Sequence, residues 1–286
     1  MIVATLGDLV DDIVVHLDGP VRLGSDTTSS IRRRRGGSAA NFAVTVAALG
    51  HQGRFLGQVG DDAMGSILVD ELAAAGVDIS SVRRGGTTGS VVVLVDETGE
   101  RHMLTDRGAS VLLSDVDASW LVGASVLHVP LYSFATPPLS VAAAALVDIA
   151  HSLGVLVSVD LSSAALIGSL GSPAVADLLS VLVPAVVFAN DDEARALGGR
   201  FTDVAGRSLT IVKAGAAPAR VVIPGRPPVD VPAVALSNVV DTTGAGDAFA
   251  AGFLTSAHWR QDPAHACLAG HRVAAQHLRT LAARTG

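Results

Sequence analysis

The chain of 286 residues has one cysteine, Cys267, one lysine, Lys213, and only 3% aromatic residues. A single cysteine excludes an intramolecular disulfide framework and a cysteine zinc site. With so few aromatics the core must be built from Ala, Val, Leu and Ile. Charged residues are 16% and hydrophobic ones 49%, a composition that excludes a disordered chain. Acids outnumber bases 27 to 20, a net charge of −7, which argues against a nucleic-acid partner because a phosphate backbone needs a basic face. Long apolar runs are also missing: Asp148, His151, Asp177 and Pro184 interrupt the candidates, leaving nothing to cross a bilayer. No basic region precedes Asp8, as a signal peptide would require. The expectation is a cytoplasmic protein with no membrane partner. At this length one large domain buries roughly 75% of its unfolded surface without a staple.

Apolar runs bounded by turn residues predict strands at 2–6, 54–59, 125–129, 155–160, 186–190, 209–212 and 220–223. Apolar residues at helical spacing predict helices at 38–49, 63–75, 139–153, 174–182, 244–255 and 264–283. From about residue 110 strand and helix alternate, which argues an α/β fold with a mainly parallel central sheet. Two β-rich pieces, about 12–35 and 87–106, break that rhythm and are expected to form a small second sheet. Residues 91–95 and 102–105 read as a hairpin around Asp96-Glu97-Thr98-Gly99.

The segment richest in chemistry is Asp241-Thr242-Thr243-Gly244-Ala245-Gly246-Asp247, leading into an apolar helix. Gly244 and Gly246 let the backbone curl so that successive N–H groups face one anion, and the helix start adds partial positive charge. Asp247 would sit beside that anion, where a carboxylate binds poorly but can accept a proton from an attacking hydroxyl. Acids also favour the first turn of any helix, so a plain capping role stays open. No Gly-Lys-Ser/Thr follows and the glycine spacing is not that of a dinucleotide loop, so a nicotinamide oxidoreductase is a remote alternative. A second segment, Gly36-Gly37-Ser38-Ala39-Ala40-Asn41, opens the first long helix. Its glycines allow close approach to a ligand, and the Asn41 amide suits a hydroxylated one.

Together these segments resemble the two signatures of the PfkB/ribokinase family of carbohydrate kinases. Gly7-Asp8 with Asp12, the stretch from Gly57 to Gly65, and Asn190-Asp191-Asp192-Glu193 follow in the family's order and extend the resemblance over nearly the whole chain. It implies a ribokinase-like three-layer α/β/α sandwich, a single kinase domain over 1–286 with a β-sheet lid from about 12–35 and 87–106. It implies ATP-dependent phosphorylation of a hydroxyl of a small sugar. Asp247 would be the base, and the N–H groups of Gly244, Ala245 and Gly246 the anion hole. Asp12, Gly37 and Asn41 would hold the sugar. Asn190, Lys213 and Gly215 would meet the nucleotide, and Glu193 would organise Mg²⁺ through water. Asp241 and Thr243 match part of a monovalent-cation (K⁺) site, whose C-terminal portion is not recognisable here. The family also builds homodimers through its lids in some members.

Bland readings stand beside these. Asn190 and Glu193 have the spacing of a helix cap with its first-turn acid. Lys213 could reach phosphate or lie on the surface. The run Arg32, Arg33, Arg34 and Arg35 could bind a phosphorylated substrate or form a solvated face. Arg107 could bridge toward substrate or make a loop salt bridge, Asp8 could touch ligand or form a turn, and His128 reads as a core histidine. A nucleoside kinase or a non-catalytic sugar-binding protein would use the same framework.

Overall fold

The computed structural model describes residues 1–98, 100–237, 239 and 241–285; Gly99 of the expected hairpin turn lies outside them. In chain order the elements are β1 (Ile2–Leu6), β2 (Val10–Leu17), β3 (Ser29–Gly36), α1 (Ser38–Ala48), β4 (Gln52–Val59), α2 (Ala63–Ala74), β5 (Val82–Arg84), β6 (Thr88–Val95), β7 (Arg101–Gly108) and β8 (Ala124–Pro130). Then follow α3 (Leu139–Ser152), β9 (Leu156–Asp160), α4 (Ala164–Leu170), α5 (Ser172–Leu182), β10 (Val186–Asn190), α6 (Asp191–Leu197), α7 (Phe201–Ala205), β11 (Leu209–Lys213), β12 (Ala219–Val222), β13 (Val229–Val231), α8 (Ala245–Thr255) and α9 (Pro263–Thr285).

Among the described residues the large sheet has nine strands in the order β13-β12-β11-β10-β9-β8-β1-β4-β5. It is parallel from β11 to β5; β12 alone runs the other way, antiparallel to β11 on one side and to the edge strand β13 on the other. Its central strands are apolar on both faces because helices cover both. On one face Val3, Phe42, Phe188, Ile211, Phe249 and Phe253 share a core with α1, α8 and α9. On the other, Ala4, Leu6, Leu127, Leu146, Val187 and Leu179 pack against α3 and α5. His128 is the core histidine expected: it stacks on Phe42 at 4.1 Å and its Nδ1 meets Ser158 Oγ at 3.0 Å. Burial pulls its pKa down to about 4, so the ring stays neutral.

The irregular β pieces form the separate sheet, in the order β3-β2-β6-β7. Asp62 ties it to the large sheet. Its carboxylate caps α2 through Gly65 N at 2.7 Å and accepts from Thr88 N and Oγ1 at 2.8 and 2.6 Å, where β6 begins. The Gly57 to Gly65 stretch of the sequence is thus a structural joint. No single helix among the described residues is long and apolar enough to cross a membrane. The sequence pattern did not show β5, β13, α4, α6 or α7; each is seven residues or shorter, too brief for a period to register.

Candidate active site

Parallel strands end where their polar residues begin. Asp8 follows β1, Asp160 closes β9, Asn190 closes β10 and Lys213 closes β11. All therefore gather at the carboxyl edge of the sheet, the edge where ligands bind in open α/β folds. The start of α8 reaches the same edge. Gly244 caps that helix at φ 75°, a left-handed conformation that favours glycine.

Asp247, in the first turn of α8, meets two side chains from α1. Ser38 Oγ donates to its Oδ1 at 2.5 Å, and Asn41 Nδ2 to its Oδ2 at 3.3 Å. Arg35 in turn donates to Asn41 Oδ1 at 3.3 Å, fixing the amide orientation. Burial pushes the Asp247 carboxyl up to about 7, more than the Ser38 bond pulls it down. Gly37 makes this meeting of α1 and α8 possible: its φ is 101°, and a Cβ there would fall 2.1 Å from the Asp8 carbonyl oxygen.

Lys213 is not on the surface. Its Nζ bonds Asp160 Oδ2 at 2.6 Å and lies 3.2 Å from where a Cβ of Gly246 would be. Burial alone would lower the Lys213 pKa, but the Asp160 and Glu193 carboxylates outweigh it, raise the pKa and keep the ammonium charged. Asn190 and Glu193 form a full capping box: Asn190 Oδ1 accepts from Glu193 N at 2.9 Å, and Glu193 accepts from Asn190 N and Nδ2, each at 2.8 Å. Burial, reinforced by Asp160, lifts the Glu193 carboxyl to about 7.

Two cavities flank the loop before α8. The first, about 490 Å³, is lined by Asn190, Lys213, Gly215, Thr242, Ala245 and Gly246, and beyond them by apolar side chains such as Leu236 and Phe249. The second, about 470 Å³, holds Asp8, Asp12, Gly37, Asn41, Arg107 and Asp247. It lies between the large sheet and the small one, which contributes Val91, Met103 and Thr105. The loop is the partition: its Thr242, Ala245 and Gly246 face one cavity, and its Thr243, Gly244 and Asp247 the other. The Ala245 N–H turns back to the Thr242 carbonyl at 3.1 Å. Among the described residues the N–H groups of Gly244 and Gly246 have no protein acceptor, so these two remain of the three N–H groups expected to form the anion hole.

Strand alternation divides the arginine run. Arg33 pairs with Asp11, whereas Arg34 turns to Asp241 at 3.0 Å and Thr243 Oγ1 at 3.2 Å. None of the four lines the second cavity. Arg107 does. It makes the expected salt bridge, bidentate to Asp8 at 2.7 and 2.8 Å, and also donates to the Tyr132 carbonyl at 3.0 Å, all at the cavity wall. Sequence reasoning missed Ser38 and Asp160. The signal for Asp160 was an acid closing a parallel strand; for Ser38, a hydroxyl one turn before Asn41.

Known proteins resemble this chain in sequence and in fold. The profile of the pfkB family carbohydrate kinases matches residues 3–286. An ATP-dependent ribose-1-phosphate kinase of Halopiger xanaduensis is 33% identical, covering 91% of this chain and 85% of its own length. Fructokinase-2 of Oryza sativa subsp. japonica is 30% identical over 89% and 79%. The crystal structure of adenosine kinase from Sinorhizobium meliloti superposes with a TM-score of 0.83 at 28% identity, covering 96% of this chain and 92% of that one. A profile spanning almost every residue, over a fold with this two-sheet plan, makes the chain a member of the pfkB family of carbohydrate kinases.

Proposed function

We propose that this kinase transfers the γ-phosphoryl group of ATP to a hydroxyl of a small sugar bound in the second cavity, with Asp247 as general base. The observation that carries the reading is the shared partition: one six-residue segment, the loop from Thr242 with the first turn of α8, faces both cavities and presents Asp247 to the acidic one. ATP occupies the first cavity, its base against the apolar wall and its phosphates toward Lys213 and the start of α8. The sugar lies against Asp12, Asn41 and the Gly37 backbone, and the small sheet acts as the lid that excludes water.

In the reaction the sugar oxygen attacks the γ-phosphorus. A new P–O bond forms as the bond to the β,γ-bridging oxygen breaks, and ADP leaves. The hydroxyl proton passes to the Asp247 carboxylate, whose raised pKa makes it a stronger base than an exposed aspartate and leaves about half of it ionised at pH 7. Ser38 and Asn41 hold both its oxygens in place. The Gly244 and Gly246 N–H groups and the α8 dipole meet the charge on the transferred group, each such donor contributing about 10²–10³ in rate.

Among the described residues no group of three or more His, Cys, Asp or Glu could hold a metal ion. Mg²⁺ keeps several waters and is often held through substrate phosphates; the carboxylates of Asp160 and Glu193, beside Lys213 at the phosphate end of the first cavity, would serve as acceptors for its waters. When bound it neutralises phosphate charge.

The carboxylates Asp8, Asp12 and Asp247 suit a neutral polyol, because they accept from hydroxyls. A sugar phosphate is the second reading; the ribose-1-phosphate kinase relative and Arg107 at the cavity wall favour it. The test is ADP formation from ATP with Mg²⁺ across pentoses, hexoses, sugar 1-phosphates and nucleosides. Turnover with a pentose or hexose is expected; turnover with nucleosides alone would overturn the sugar reading.

A further inference from the structure

The loop that partitions the two cavities is held by cationic or hydrogen-donating side chains from two distant elements. From β3, Arg34 Nη1 meets Asp241 Oδ2 at 3.0 Å and Nη2 meets Thr243 Oγ1 at 3.2 Å. From α9, His277 Nε2 meets the Thr243 carbonyl at 2.8 Å; since a carbonyl only accepts, the ring donates. The other Asp241 oxygen, Oδ1, is occupied by Thr243 N at 2.9 Å and Thr243 Oγ1 at 2.6 Å. The same His277 nitrogen lies 3.0 Å from where a Cβ of Gly244 would be, so the ring packs against the helix cap itself.

Asp241 and Thr243 are the residues that the family resemblance would give to a monovalent metal cation. They do not fit one here. A metal ion taking the Asp241 carboxylate and the Thr243 carbonyl would displace both Arg34 and His277 and would face a guanidinium charge. The planar Arg34 fork instead satisfies a carboxylate and a hydroxyl together, which a spherical ion cannot do with fixed direction.

We propose that Arg34 is the resident cation of this loop, so that the kinase needs no monovalent metal and its anion hole is set when the small sheet is seated. Arg34 acts as a positioning residue, through Asp241 and Thr243, on Gly244 and Gly246. Its Nε also lies 3.7 Å from Asp12, which lines the sugar cavity. One side chain therefore spans the sugar wall and the partition loop, and links sugar binding to the geometry of phosphoryl transfer.

This inference rests on the kinase reading, so its test has an arm that needs no turnover. Wild type, Arg34→Ala and Arg34→Lys are assayed for ADP formation and for thermal melting. The buffers hold K⁺, Na⁺ or tetramethylammonium as the monovalent cation at equal ionic strength, with and without methylguanidinium. Wild type is expected to give the same rate and melting temperature in all three salts. Arg34→Ala should lose about 10-fold to 100-fold in kcat, as displaced transition-state contacts do, with KM for ATP less affected. Methylguanidinium should restore part of that loss and raise the melting temperature of Arg34→Ala but not of wild type. Arg34→Lys should lie between the two. Activation or stabilisation of wild type by K⁺ over tetramethylammonium would overturn the proposal. So would an Arg34→Ala protein with wild-type kcat, or one whose melting is indifferent to methylguanidinium. If no sugar is turned over by wild type, the melting arm alone decides.

Discussion

The two cavities are nearly equal in size, about 490 and 470 Å³, but opposite in make-up. The first is cut into the large sheet and its covering helices; its wall is mostly apolar, with Lys213 at its charged end. The second is completed by the small sheet and carries three aspartates against one arginine that is itself paired to Asp8. The difference teaches how one loop can serve two ligands. On the proposed reading the apolar side takes the base and phosphates of ATP, the acidic side takes the sugar hydroxyls, and only the transferred group is shared between them. Asp247 stands on the acidic side of the partition, where a proton has to go.

The strongest way to break the comparison is on the nucleotide side. Lys213→Met leaves the buried Asp160 carboxyl without its ammonium partner, a change that costs about 3–5 kcal/mol. Melting should show that loss, and KM for ATP should rise while KM for the sugar changes little. On the sugar side, Arg107→Gln frees Asp8 and removes the tether to the Tyr132 carbonyl. KM for the sugar should rise on the order of 10-fold, with KM for ATP unchanged; equal effects on both substrates would mean that the cavities are not separate.

A smaller effect sharpens the role of the partition. Because burial raises the Asp247 pKa to about 7, kcat/KM should fall as pH drops below that value, tenfold per unit at the limit. Ser38→Ala removes a hydrogen bond that favours the carboxylate, so this acid limb should move to higher pH. An unmoved limb would detach Ser38 from the base. The linkage has a defined sign: the folded pKa lies above the ordinary 3.8, so ionising Asp247 costs stability, and that cost accumulates as pH rises from about 4 to about 7. Asp247→Asn should therefore melt no lower than wild type above pH 7.

What the sequence made legible is what lies close along the chain. The small-residue loop into α8, the glycines before α1 and the Asn190 to Glu193 cap are each contained in seven residues or fewer. Strand and helix alternation pointed to an α/β fold with a mainly parallel sheet, the break in that rhythm pointed to the second sheet, and the three-layer arrangement came from the family resemblance. What it did not show depends on distance along the chain: Arg34 with Asp241, Arg107 with Asp8, Lys213 with Asp160, and His277 with Thr243. Four consecutive arginines look alike until the register of β3 against β2 sends Arg33 toward Asp11 and Arg34 toward the loop. Lys213 could be placed inside only once β11 was paired beside β10 and ended near Asp160. Asn41 was expected to touch the sugar; it lines the second cavity and also holds Asp247, a contact invisible until α1 and α8 pack together.

The measurement that tests the central claim most directly is the rate and binding behaviour of Asp247→Asn. Phosphosugar and ADP formation are followed together with nucleotide and sugar binding by calorimetry. Loss of kcat by about 10²–10⁴ with both ligands still bound is the predicted result. Retention of wild-type kcat would contradict the assignment of the base and, with it, the reading of the partition between the two cavities.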